Sequence, residues 1–163
     1  MEDSILFIEE PGFTITNIEH IEYISFMCGG VTFEHSGQDY RIFFPNPNAV
    51  LPVRMKNGSH LLLPWGRRRE QGGQLPVGGW ARLDSIYAGT WDKYFPSPVK
   101  IDVTSFMEKD YEGKSHWFDL LPGKYLQGLV AHNKNEQRVY VVTMEPDSTM
   151  AEFHDRMPRI MFG

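Results

Sequence analysis

Cys28 is the only thiol in the chain, and it directly follows a methionine. Aminopeptidases remove an initiator methionine most readily before a small residue, so a chain translated from Met27 would begin at Cys28. An N-terminal cysteine carries an α-amine with pKa near ~8 beside a thiol with pKa near ~8.5, so part of the amine is nucleophilic at neutral pH. The pair can capture an aldehyde. The amine condenses to a Schiff base with loss of water, the thiol adds to the imine carbon, and a five-membered thiazolidine closes. Inside a longer chain the residue has no amine, and a lone cysteine then reads as a small buried hydrophobe.

Three further groups could serve such chemistry. His154-Asp155-Arg156-Met157-Pro158 places an imidazole, a carboxylate, a guanidinium and a rigid turn in five residues. His154 would act as general acid or base near neutral pH and Arg156 would grip a phosphate; the plain alternative is a surface turn with an Asp–Arg pair. Glu108 ends a mostly apolar stretch, where desolvation at a cleft mouth would raise its pKa for proton transfer, unless it is simply solvated. Arg67-Arg68-Arg69, Arg82 and the tryptophans Trp65, Trp80, Trp91 and Trp117 mix positive charge with stacking faces, as single-stranded nucleic acid prefers. Otherwise the tryptophans fill a core and the arginines sit in solvent.

Composition narrows the setting. The 163 residues are 41% apolar, enough for one domain with its own core, and the 15 Gly and 11 Pro favour turns between short strands over a helical bundle. No apolar run approaches a membrane span. A single cysteine excludes a disulfide framework and a Cys-rich zinc site, which fits a reducing compartment, and the start lacks a basic secretory signal, so a cytoplasmic protein is expected. There is no phosphate-binding Gly-rich loop, no His-Glu-x-x-His, no Gly-x-Ser-x-Gly and no Cys-x-x-Cys. The formal charge is −5, yet residues 1–26 hold six acids and no Lys or Arg, leaving fifteen acids against sixteen bases from residue 27 onward. Without that acidic leader the charge does not argue against a nucleic-acid partner.

The elements that must carry these residues read as follows. The leader alternates loosely between apolar and polar, allowing one or two strands. Residues 31–33 and 40–44 read as strands, and 50–55 with 59–65 as a hairpin around Lys56-Asn57-Gly58. A basic, Gly-rich loop runs from 66 to 79, a helix over 80–90 and a strand over 99–107. Further strands are expected at 115–120, 128–132 and 137–144, with a short helix over 147–153 capped by Asp147 or Ser148. The whole reads as one α+β, β-rich domain over 27–163 behind the leader.

In this order the pieces resemble the SOS response-associated peptidase family, also called the abasic-site processing or SRAP domain. The matching positions are Met27-Cys28-Gly29, Trp65-Gly66, Ala81-Arg82 with Asp84-Ser85, Phe106-Met107-Glu108, Gly128-Leu129 and the complete His154-Asp155-Arg156-Met157-Pro158. The resemblance covers residues 27 to 162. It implies a distorted barrel or sheet with a few short helices, and a monomer without cofactor or metal that cross-links abasic sites in single-stranded DNA. Cys28 would be the nucleophile, Glu108 and His154 the proton-transfer groups, Arg82 and Arg156 backbone contacts, and Trp65 and Trp80 part of the DNA-binding surface. This chain has Gly30 where the family has arginine, and Trp80 where it has asparagine. Because the ring needs a free amine, the reading further expects that residues 1–26 are either not translated or removed by proteolysis. A catalytically impaired DNA-binding module and a Cys-dependent hydrolase are the alternatives.

Overall fold

The computed structural model describes residues 29–152 and 155–163. The expected leader strands, Cys28, and His154 lie outside the described residues.

Strands β1 (Gly30–His35) and β2 (Gln38–Phe43) form a hairpin. Its two-residue turn, Ser36-Gly37, takes positive φ at both positions, the geometry that matches the twist of a tight hairpin. Strands β3 (Val50–Arg54) and β4 (His60–Pro64) make the expected second hairpin. Strand β5 (Trp80–Arg82) leads directly into helix α1 (Leu83–Tyr87). After β6 (Ser97–Ile101) come β7 (Ser105–Lys109) and β8 (Ser115–Asp119). The long pair β9 (Lys124–His132) and β10 (Gln137–Met144) follows, then the short β11 (Met157–Pro158) and β12 (Ile160–Phe162).

These strands build two sheets. One runs β2-β1-β7-β8, antiparallel throughout. The other runs β11-β10-β9-β6-β3-β4, with β5 parallel to β10 and β12 antiparallel to β9. The C-terminal strands fill a fork between β9 and β10, where the Arg159 N–H reaches the Val142 carbonyl and the Gln127 N–H reaches the Arg159 carbonyl. The main core includes Val31, Phe33 and Phe106 of the first sheet and Leu51, Ile101, Val139 and Val141 of the second. Tyr140 and Val142 face the other way, into a smaller cluster with Leu75, Ala81 and Trp91. Burial on both faces explains the unbroken Val139-Tyr140-Val141-Val142 run.

The protein is a single β-rich domain, and among the described residues its sheets are open. An isolated bridge, Trp65↔Val139, brings the end of the β4 hairpin back to β10 without closing a barrel ladder. No helix among the described residues is long and apolar enough to cross a membrane.

Three sequence expectations change. The helix over 80–90 shrinks to α1, because the Gly79 carbonyl accepts the Val141 N–H and Trp80–Arg82 pair along β10, with Ala81 buried beneath. Ladder and burial together outweigh local helix preference. The strand over 99–107 is two strands in different sheets, so Glu108 lies within β7 rather than ending one long strand. The helix over 147–153 is a single 3-10 turn, Met150–Glu152, where Asp147 does accept the Met150 N–H at 2.9 Å.

Candidate active site

Glu108 is fully buried, and both carboxylate oxygens are sealed from solvent. Strand alternation puts it there: Phe106 and Glu108 share the inward face of β7, while Met107 and Lys109 take the other. Placing an ionisable carboxyl in such a position carries a large desolvation cost, which makes it a candidate for function rather than a solvated strand end. Its cross-strand neighbour on β8 is His116, whose Nε2 lies 2.7 Å from Asp110 Oδ2. The hydrogen bond from His116, followed by the backbone N–H of Lys114, holds the Asp110 carboxyl below its usual pKa. The sequence reading missed this imidazole–carboxylate pair; its signal was the placement of Asp110 and His116 on either side of the turn at 111–113.

On the other side of β7, the Gly29 N–H donates to the Met107 carbonyl at 3.0 Å, and the Gly29 carbonyl accepts the Phe44 N–H at 3.0 Å. Gly29, one peptide bond after Cys28, is therefore pinned between β7 and the end of β2. Phe44 carries the connection onward: its ring packs 4.7 Å from that of Trp80. Trp80 and Arg82 share one face of β5, and the Trp80 indole N–H is buried with no acceptor among the described residues.

Arg82 and Arg156 converge on Thr143. In register, Thr143 faces Arg82 of β5 and Pro158 of β11. Arg156 is buried, and its Nη2 donates to the Thr143 carbonyl at 2.9 Å and to Thr143 Oγ1 at 3.2 Å. Burial first, then the neighbouring Arg82 charge, holds its pKa below the usual arginine value. Arg82 is half-exposed and engages Asp84 through Nε and Nη2 at 3.1 and 3.0 Å. The two expected phosphate contacts are thus brought together, each already holding a partner within the protein.

Trp65 does not fit the role expected of it. It has no exposed surface, and its Nε1 donates to the Gly79 carbonyl at 3.0 Å, so neither face is open to a base. It is a core residue that supports Phe44 and Trp80 from below. Arg67 and Arg68 also correct the picture of a solvated basic loop. Arg67 holds the Gln71 and Leu75 carbonyls at 2.6 Å each. Arg68 is buried, donates to the Phe44 and Trp65 carbonyls and lies 4.1 Å over the Phe44 ring; burial pushes its pKa down to about 10. These arginines tie the loop at 66–79 to the site's floor.

The sequence matches no protein-family model and no curated protein, so the residues themselves carry the functional argument.

Proposed function

We propose that the protein captures the ring-opened aldehyde of abasic sites in single-stranded DNA through Cys28, once that residue is the chain's first. The amine of Cys28 condenses with the sugar aldehyde, releasing water; the thiol sulfur then attacks the imine carbon and its proton passes to nitrogen, closing the thiazolidine. No oxidant or metal is needed. Glu108 shuttles protons at the condensation and closure steps, with His154 as the second group, and Arg82, Arg156 and Trp80 line the DNA path.

The observation that carries the reading is the buried Glu108 carboxylate on β7, at the strand whose Met107 carbonyl fixes Gly29. A proton-transfer group kept from water beside the residue that follows Cys28 is what aldehyde condensation requires. The reading needs residues 1–27 to be absent from the working protein, through a start at Met27 with methionine removal or through proteolysis.

One observation favours a second reading, a DNA-binding module with impaired chemistry: Trp80 stands where the resembled family has asparagine, and its buried indole N–H can donate a hydrogen bond but not accept one. Incubating the Cys28-started protein with an abasic single strand separates the two. A heat-stable adduct supports cross-linking, while binding without adduct supports the impaired module.

A further inference from the structure

Gly30 of β1 has no side chain, and the space this leaves is filled in a specific way. A Cβ at Gly30 would sit 3.1 Å from Phe43 Cδ1, so the missing side chain lets the Phe43 ring lie across the sheet. There it meets Trp117 from the opposite edge strand, with ring centroids 6.1 Å apart in an edge-on arrangement. The Arg41 guanidinium also reaches across and sits 4.8 Å over the Trp117 ring. The residues beneath, Met107 and Ser105, are buried by this cover.

The register orders this outward face into rows. Lys109 and Ser115 come first, at the end where Gly29 enters; then Phe43, Gly30, Met107 and Trp117; then Arg41, Thr32, Ser105 and Asp119; then Asp39 and Glu34. Lys109 and the Phe43 and Trp117 rings thus lie toward the Gly29 end, Arg41 shares its row with Asp119, and Asp39 and Glu34 lie at the far end. Among the described residues Arg41 has no hydrogen-bonded or ionic partner, although Glu34 and Asp39 line the same surface hollow. It is held by stacking, with its N–H donors uncommitted. Phe43 is 40% exposed.

We propose that Arg41, Phe43 and Trp117 form a second DNA subsite, which takes one nucleotide of the single strand flanking the lesion. Its base stacks on the open side of Phe43, and its phosphate is gripped by Arg41, held over the Trp117 ring. A ring face with a stacked guanidinium suits a base and its phosphate, since bases offer π-faces whatever their sequence. The proposal rests on the abasic-site reading for the identity of its partner but not on the cross-linking chemistry.

The test is fluorescence anisotropy of the full chain with a labelled, undamaged oligothymidylate, together with tryptophan emission. Arg41→Ala is expected to weaken binding about fivefold and to flatten the salt dependence by about 0.7 in slope, the share of one phosphate contact. Phe43→Leu is expected to cost about tenfold. DNA should quench tryptophan emission in the wild type and quench it less in Trp117→Phe, a readout that stands even if Phe43→Leu folds poorly. Binding by Arg41→Ala equal to wild type, unaltered quenching in Trp117→Phe, or no binding of oligothymidylate by the wild type would each overturn the subsite. Failure of the Cys28-started protein to form the abasic adduct, with these effects intact, would overturn only the cross-linking reading.

Discussion

Glu108 is the residue whose environment separates chemistry from architecture. Glu108→Gln keeps its volume and polarity but removes the titrating proton. Adduct formation is expected to slow about 10²-fold, the usual scale for a lost general acid or base, while affinity for undamaged single-stranded DNA stays within about twofold. Equal losses in rate and affinity would instead mark Glu108 as a structural group. Arg68 shows the opposite case. Arg68→Ala leaves the Phe44 and Trp65 carbonyls without their donor inside the protein, and urea unfolding should report a loss of about 3 kcal/mol. A change within ordinary surface scatter would contradict its role as a floor tie. Both residues were visible in the sequence, but their burial was not. Alternation shows that Phe106 and Glu108 share a face, yet only the second sheet decides that this face is covered. Three consecutive arginines in a glycine loop give no sign that the middle one turns inward.

At the scale of elements, hairpins were the most legible features, because turn chemistry is local: Lys56-Asn57-Gly58 marked the β3–β4 turn, and the β-branched run marked β10. What failed depended on distant partners. Residues 80–82 look helical until β10 is beside them, and nothing local announces that the chain switches sheets at Asp102–Thr104. That switch is held by a clasp. Asp102 accepts Arg54 through Nε and Nη2 at 2.6 Å each and His60 Nε2 at 2.8 Å. Burial alone would raise the Asp102 pKa, but the Arg54 and His60 hydrogen bonds outweigh it and hold the carboxyl below its usual value. As pH falls, the unfolded chain therefore takes up this proton first. The clasp's contribution is complete above ~4, the ordinary aspartate value, and is lost as pH drops through the folded value. Thermal unfolding of wild type and Asp102→Asn should consequently converge on acidification from neutral pH. A gap in melting temperature that stays constant to low pH would contradict the clasp.

Across the whole molecule, the two sheets fix the place of Gly29, the residue that follows Cys28 in the sequence. Gly29 joins β7 to Phe44, Phe44 joins Trp80, and Trp80 and Arg82 ride on β5 beside β10, with Arg156 on the far side of Thr143. The resemblance named Arg82 and Arg156 together, and the two lie about Thr143. The sequence did not show that Trp65 would lie beneath the site, or that Trp117 would meet Phe43, because a hole left by one glycine becomes visible only when strands from both edges reach over it. The most direct test of the account is intact-mass analysis after heating the Cys28-started protein with an abasic single-stranded oligonucleotide. The account predicts one species equal to protein plus DNA less one water, absent when Cys28→Ser replaces the wild type. No such species, or the same heat-stable species from Cys28→Ser, would contradict it.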